Sequence, residues 1–127
     1  MSSVPEDLKY TKEHEWIRVD GEEIIVGITD YAQNALTDIV YIELPESGDS
    51  YGTDEEFSVV ESVKSASPIF APIAGEITEV NEELDDAPEL MNTDPYGAGW
   101  IVKMKPSNPS ELDDLLSASE YKSEIGE

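Results

Sequence analysis

One amine in this chain stands apart from every other cation. Between Arg18 and Lys103 lie 84 residues (Val19 to Val102) with 20 Asp or Glu, no Arg and a single Lys, Lys64. Before it comes an apolar-rich run with Phe57, Val59, Val60 and Val63, and after it a second with Ile69, Phe70 and Ile73. Small polar Ser65 and Ser67 lie between them. That spacing predicts strand, tight turn, strand, with the lysine at the tip. Three uses of such an amine compete. The commonest is plain solvation at the surface. A Schiff-base role needs the free amine, which burial or a neighbouring cation favours. Glu61 and the acidic surroundings favour the ammonium instead. An acceptor of a covalent acyl group needs only an exposed, well-formed turn, because a partner enzyme brings the activated acyl group. Val63, Ser65 and the flanking strands fit this third use best.

Other chemistry is thinly supplied. There is no cysteine, hence no disulfide, thiolate nucleophile or Cys-based metal site. Sulfur redox work requires a bound or attached cofactor. The single histidine, His14, excludes a multi-histidine metal site. Ser62, Ser65 and Ser67 are remote from His14 in sequence and show no triad signature. No GxGxxG, GxxxxGK[ST] or D-x-[DN]-x-[DN]-G pattern occurs. With 30 acids, carboxylate pairs arise by chance and carry no signal. No catalytic constellation stands out, and the acids leave a carboxylate pair at catalytic spacing or a calcium site open.

The elements that must position Lys64 are short. Trp16, Ile17 and Val19 open a strand, Asp20-Gly21 signals a hairpin, and Ile24 to Ile28 return. Thr29 to Leu36 reads as a helix with Asp30 as N-cap and Gln33 three residues on. Ile39 to Leu44 is a strand, followed by a loop from Pro45 to Glu56. Beyond the Lys64 hairpin, Glu76 to Val80 is a strand and Asn81 to Leu90 a helix stopped near Pro88. Asn92 to Gly99 is turn-rich, and Trp100 to Met104 is the last strand. Asn108, Pro109 and Glu111 start a helix, and Ser117 with Glu120 forms a second capping box. Residues 1–9 read as a loose N-terminal arm. Short strands punctuated by Gly and Pro, with a helical C-terminus, predict a mainly β fold, a closed barrel or a sandwich. The length of 127 residues predicts a single domain, 1–127.

The formal charge of −23 argues against nucleic-acid and anionic-membrane partners, which need clustered Lys and Arg. The acids are spread over nearly every segment, which reads as a solvated surface and points to a halophilic, high-salt interior. No apolar run approaches the ~20 residues of a membrane span, and the first residues carry no secretory or transit signature. The expected location is cytoplasmic and the expected state a monomer.

VVESVKSAS (Val59 to Ser67), with Pro72 and Gly75 behind it, resembles the lipoyl-lysine segment of the glycine cleavage system H proteins. YTKEHEWIRVDG, VGITDYAQNALTDIVYIELPESGD and DAPELMNTDPYGAGWIVKMKPSNPSELDDLL resemble the same family in the same order, so the likeness spans roughly residues 7–122. Biotinyl carriers flank their lysine with methionines. Acyltransferase lipoyl domains lack the HEW and DPYGxGW segments. The resemblance implies a barrel-sandwich hybrid of two antiparallel sheets of the lipoyl/biotinyl-carrier type, with short helices including a C-terminal one. It implies lipoate as an amide on Lys64, read at the turn by a lipoate-attaching enzyme through Glu61, Ser62, Val63 and Ser65. It places Glu15 in a cleft that shelters the arm. The implied role is not an enzyme's, with no catalytic residues and no metal: it is a carrier of the aminomethyl group of glycine from the PLP-dependent decarboxylase (P protein) to the tetrahydrofolate-dependent aminomethyltransferase (T protein). Dihydrolipoyl dehydrogenase (L protein) then reoxidises it. The alternative is an H-like lipoyl donor or scaffold for lipoate delivery to other complexes; retention of HEW and DPYGAGW favours the first. One departure stands out: the family commonly has Asp where this chain has Pro68.

Overall fold

In the computed structural model, which describes residues 3–127, the chain forms two antiparallel sheets joined by short helices. The first has six strands: β1 (Lys9–Tyr10), β2 (Glu15–Asp20), β3 (Glu23–Ile28), β5 (Ser50–Tyr51), β8 (Gly75–Val80) and β9 (Val102–Pro106). Their order is β1-β2-β3-β9-β8-β5. The second has three: β4 (Ile39–Glu43), β6 (Glu56–Ser62) and β7 (Ala66–Phe70), ordered β4-β6-β7. The inward sides of the strands, among them Ile17, Ile24, Val26, Ile42, Val60 and Ile77, close one core between the sheets. This is the mainly β architecture that the sequence pattern predicts, in the barrel-sandwich form that the family resemblance implies.

Strand pairing follows local chemistry. β2 and β3 pair from Glu15↔Ile28 to Asp20↔Glu23, leaving Gly21 and Glu22 as the loop. Gly21 has φ +64, open to glycine without a Cβ penalty. On the same ladder Trp16 faces Gly27, and a Cβ at residue 27 would lie 2.7 Å from the indole. The glycine makes room for a fully buried ring whose Nε1 donates to the Pro95 carbonyl at 2.9 Å.

Several boundaries differ from expectation, each for a physical reason. The N-cap of α1 (Asp30–Leu36) is Thr29, whose hydroxyl accepts from Ala32 N; Asp30 instead accepts from the Gln33 side chain at 2.7 Å. The helix expected over 81–90 splits into α2 (Glu83–Asp86) and α3 (Leu90–Thr93), because Pro88 has no N–H and pushes Ala87 out of helical geometry. The last strand starts two residues late, since Trp100 N is held in a tight turn by the Gly97 carbonyl. Pro109–Asp114 is a 3-10 helix, capped by Asn108 as expected. The Ser117–Glu120 capping box opens α4 (Ala118–Glu124).

The N-terminal arm is not loose over residues 3–8. Val4 and Leu8 are buried in a second cluster with Tyr10, Trp16, Ala118 and Tyr121. Two isolated apolar residues in a polar stretch find a face on the C-terminal helix, which lies far away in sequence. The Tyr10 hydroxyl also donates to the Pro5 carbonyl at 2.6 Å.

Candidate functional site: the Lys64 hairpin and its cleft

Lys64 stands on the two-residue tip between β6 and β7. Glu61 pairs with Ala66, and Ser62 N donates to the Ser65 carbonyl at 2.8 Å. The Ser62 hydroxyl closes the turn from inside. It accepts from the N–H groups of Lys64 and Ser65, both at 3.2 Å, and donates to the Ser65 carbonyl. A serine that bonds the backbone two and three residues on fixes a turn locally. Val63 N donates to the Asp38 carbonyl at 3.0 Å, which ties the tip to the start of β4. Val63 is 68% exposed, and Glu61, Lys64 and Ser65 are exposed as well. The four turn residues singled out from sequence are thus brought together around the amine. Among the described residues Lys64 makes no ion pair.

Ser62→Ala removes the acceptor of two N–H groups at an exposed turn, a loss of about 1 kcal/mol felt locally. We expect a small change in melting temperature and a several-fold slower attachment of an acyl group at Lys64, read as mass gain against time with a lipoate-attaching enzyme.

Lys64 Nζ lies 3.5 Å from the Ala35 carbonyl of α1, a contact at the outer limit of hydrogen bonding. Ala35 is on the rim of a cleft of about 320 Å³. One wall is the α1 face with Ala32, Ala35 and Leu36; the other is β7 from Ser67 to Phe70; Ile28 also lines it. Glu13 and His14 supply the remaining polar lining. The Ala32, Ala35 and Leu36 face of α1 therefore has a purpose beyond the core.

Glu15 is not part of that lining. Its side chain is buried at the edge of β7, where Oε2 accepts from Phe70 N at 3.2 Å and Oε1 from the Thr11 hydroxyl at 2.8 Å. It braces the β7 wall of the cleft at Phe70. The β1–β2 turn explains the split between neighbours: His14 has φ +70, a left-handed kink that sends its ring toward the cleft while Glu15 turns inward. Burial pushes the Glu15 carboxyl up to about 7, although the bonds from Thr11 and Phe70 oppose it. Pro68 lies on β7, an edge strand, as its missing donor requires. Residues 68 and 70 share a strand parity, so the outward N–H that Phe70 gives to Glu15 has no counterpart at Pro68.

Polar residues that the sequence reading left as loop text hold α1 and β2 in place. Asn92 donates to the Gln33 side chain and the Thr37 carbonyl, and accepts from Ile39 N. The Tyr96 hydroxyl accepts from Asp30 N and donates to the Ser3 carbonyl. Arg18 reaches the Tyr96 carbonyl and lies over the Trp16 ring, 5.0 Å from its centroid. No local pattern announces these ties, which span 27 to 93 residues of chain between their ends where Ser3, Asp30 and Tyr96 meet.

Two antiparallel sheets closed over one core, with an exposed lysine on a hairpin tip beside an apolar cleft, define a covalent-carrier domain of the lipoyl/biotinyl type. The family model "Glycine cleavage H-protein" matches residues 8–127, and the chain belongs to that family. It is 57% identical to the glycine cleavage system H protein of Carboxydothermus hydrogenoformans, over 95% of this chain and 93% of the relative. It is 54% identical to that of Staphylococcus carnosus, over 98% and 99%. The crystal structure of a glycine cleavage system H protein from Mycobacterium marinum superposes with TM-score 0.90 at 41% identity, covering 98% of this chain and all of that one.

Proposed function

We infer that this chain is the lipoyl-bearing carrier of a glycine cleavage system, a single carrier domain with lipoate held as an amide on Lys64 Nζ. The observation that carries the reading is the position of Nζ at the rim of the cleft, beside Ala35. A chain attached to that nitrogen starts at the cleft mouth. The lining fits a carbon chain ending in a dithiolane: most of it is apolar, from Ile28, Ala32, Ala35, Leu36, Pro68, Ile69 and Phe70. When bound, the dithiolane supplies the sulfur chemistry that a chain without cysteine lacks.

The chain's own residues do three things. Ser62 sets the turn that offers Lys64, and Glu61, Val63 and Ser65 surround it for the lipoate-attaching enzyme. The α1 and β7 walls exclude water from whatever the arm brings back. Glu13 puts a carboxylate in the cleft lining, where Pro68 cannot, and an amine-bearing cargo is drawn to it. The partners are the P, T and L proteins, visited in turn by a tether that raises effective concentration at each. The carrier performs no catalysis of its own.

Two measurements test this reading. Protein from its native host should carry the mass of one lipoyl amide; unmodified native protein overturns the reading. Glycine–bicarbonate exchange with a cognate P protein should then depend on the lipoylated form. A lipoylated protein inert in that exchange is the lipoate-delivery scaffold instead.

Glu13→Gln removes the cleft's carboxylate and leaves the turn untouched. An exposed charge contact is worth up to about 1 kcal/mol, so the cargo should escape to water roughly fivefold faster at unchanged lipoylation. Timed release of amine from the loaded protein checks it.

The charge of −23 fits a high-salt cytoplasm, and among the described residues Lys103–Glu79 is the one ion pair. No helix of the described residues is long and apolar enough to cross a membrane. Self-repulsion between carboxylates is screened over ~3 Å at 1 M salt, so the melting temperature should climb between low and molar KCl. A flat profile removes the halophilic part of the reading.

A further inference from the structure

His14 is the sole histidine, and its ring stands in a chain of hydroxyls. His14 Nδ1 is 2.8 Å from the Tyr121 hydroxyl, which is 2.7 Å from the Thr29 hydroxyl. Thr29 Oγ1 in turn accepts from Ala32 N at 3.2 Å. Only one direction gives both hydroxyl protons a partner: Thr29 donates to Tyr121, and Tyr121 donates to Nδ1. In the reverse direction Nδ1–H donates to Tyr121 and Tyr121 to Thr29. The Thr29 proton is then left without an acceptor at a residue with no exposed surface. Such an unmade bond costs about 1–3 kcal/mol. Nδ1 is therefore the acceptor and the ring proton sits on Nε2. Among the described residues Nε2 has no hydrogen-bond partner, and no buried side-chain nitrogen lacks one. That atom is thus open, on a ring that lines the cleft.

We propose that Tyr121 is a positioning residue for the cleft: through the relay from Thr29 it fixes His14 as the Nε2–H tautomer, so that the wall offers one neutral N–H donor to a lone pair of the tethered arm, on sulfur or on the amide oxygen. The arm contact rests on the cleft reading above. Burial lowers the His14 pKa from its ordinary 6.5, against Glu13 and Glu124, which keeps the ring neutral at pH 7. An imidazolium there would repel the amine that Glu13 attracts. Burial raises the Tyr121 pKa, so the phenol keeps the proton it donates. Tyr121 is carried by α4 and stacks on Tyr10 at 4.7 Å between ring centroids. Docking of the C-terminal helix thereby sets a hydrogen-bonding property of the cleft.

The test is nitrogen NMR of the lone imidazole at pH 7.5, first without lipoate. The parent and Thr29→Ser, which keeps the hydroxyl, should both show Nε2–H with Nδ1 as a hydrogen-bonded acceptor. Tyr121→Phe keeps the ring stack, and its Nδ1 signal should move to that of an acceptor without a donor while the tautomer preference drops roughly tenfold. A merely structural tyrosine would leave both signals alone. An Nδ1–H parent, or a Tyr121→Phe spectrum equal to the parent, overturns the relay; the parent spectrum decides even if the variant does not fold. Lipoylated parent should then shift the Nε2 resonance. The expected tautomer with no shift on lipoylation overturns the arm contact, whereas failure of lipoylation itself appears in the intact mass.

Discussion

Lys64→Arg folds as the parent does, gains no lipoyl mass and supports no glycine–bicarbonate exchange. The fold is untouched because Lys64 is exposed and its Nζ makes one marginal contact, to the Ala35 carbonyl. Arginine keeps the charge and the reach for that contact, so stability should stay within about 0.5 kcal/mol. The turn is made by Ser62 and the backbone and does not depend on residue 64's side chain. What the substitution removes is nucleophilicity. A guanidinium stays protonated at any working pH and has no free amine to acylate. Loss is complete and not graded, because without the tether no cargo moves between sites at all. Intact mass, thermal melting and the exchange assay together check it. Mass gain persisting in the variant would move the attachment to another of the few lysines and break the link between the hairpin and the cleft.

The hairpin that this prediction rests on was legible in the sequence because its determinants are local. Alternating apolar residues, a serine two before the lysine and small residues after it lie within one short run. The capping box at Ser117 and the cap at Asn108 were readable for the same reason: each is a bond between residues two or three apart. The cleft was not readable, since its lining gathers Glu13 and His14, Ile28 with the α1 face, and β7 from three separate segments. Ala32 and Ala35 announce an apolar face and nothing about what it faces. The relay to His14 is more remote still: Tyr121 lies 92 residues from Thr29 and 107 from His14. Val4 and Leu8 were read as arm because burial depends on a partner surface that local polarity cannot reveal. Glu15 shows the limit most sharply. The family resemblance implies a place in the cleft, while the bonds that hold the carboxylate, from the Thr11 hydroxyl and Phe70 N, come from residues 4 and 55 positions away.

That buried carboxylate supplies the second large effect: Glu15→Gln nearly matches the parent in stability at pH 4.5 and exceeds it by on the order of 3 kcal/mol at pH 8. In the unfolded chain the group ionises at its ordinary 4.5; in the folded protein burial pushes it up to about 7. Well below 4.5 it is protonated in both states and costs nothing; at 4.5, with the unfolded chain half ionised, the cost is only about 0.4 kcal/mol. Between 4.5 and 7 the unfolded chain ionises first, so unfolding is favoured increasingly as pH rises. Above 7 both states are ionised and the cost is constant. Glutamine is neutral throughout, with one acceptor and one donor where the protonated acid has them, so it imitates the low-pH form at every pH. Denaturant unfolding of both proteins in molar KCl isolates the site, because the exposed carboxylates titrate alike in each and cancel in the difference. A pH-independent difference would overturn the assignment of this cost to Glu15. The same variant then asks what the charge is for. If the stabilised protein loses its cargo to water faster than the parent, an ionised group at the edge of β7 helps hold an amine in the cleft. If retention is unchanged, the carboxylate serves only to bind Phe70 N and Thr11, and Glu13 alone carries the electrostatics of the cleft.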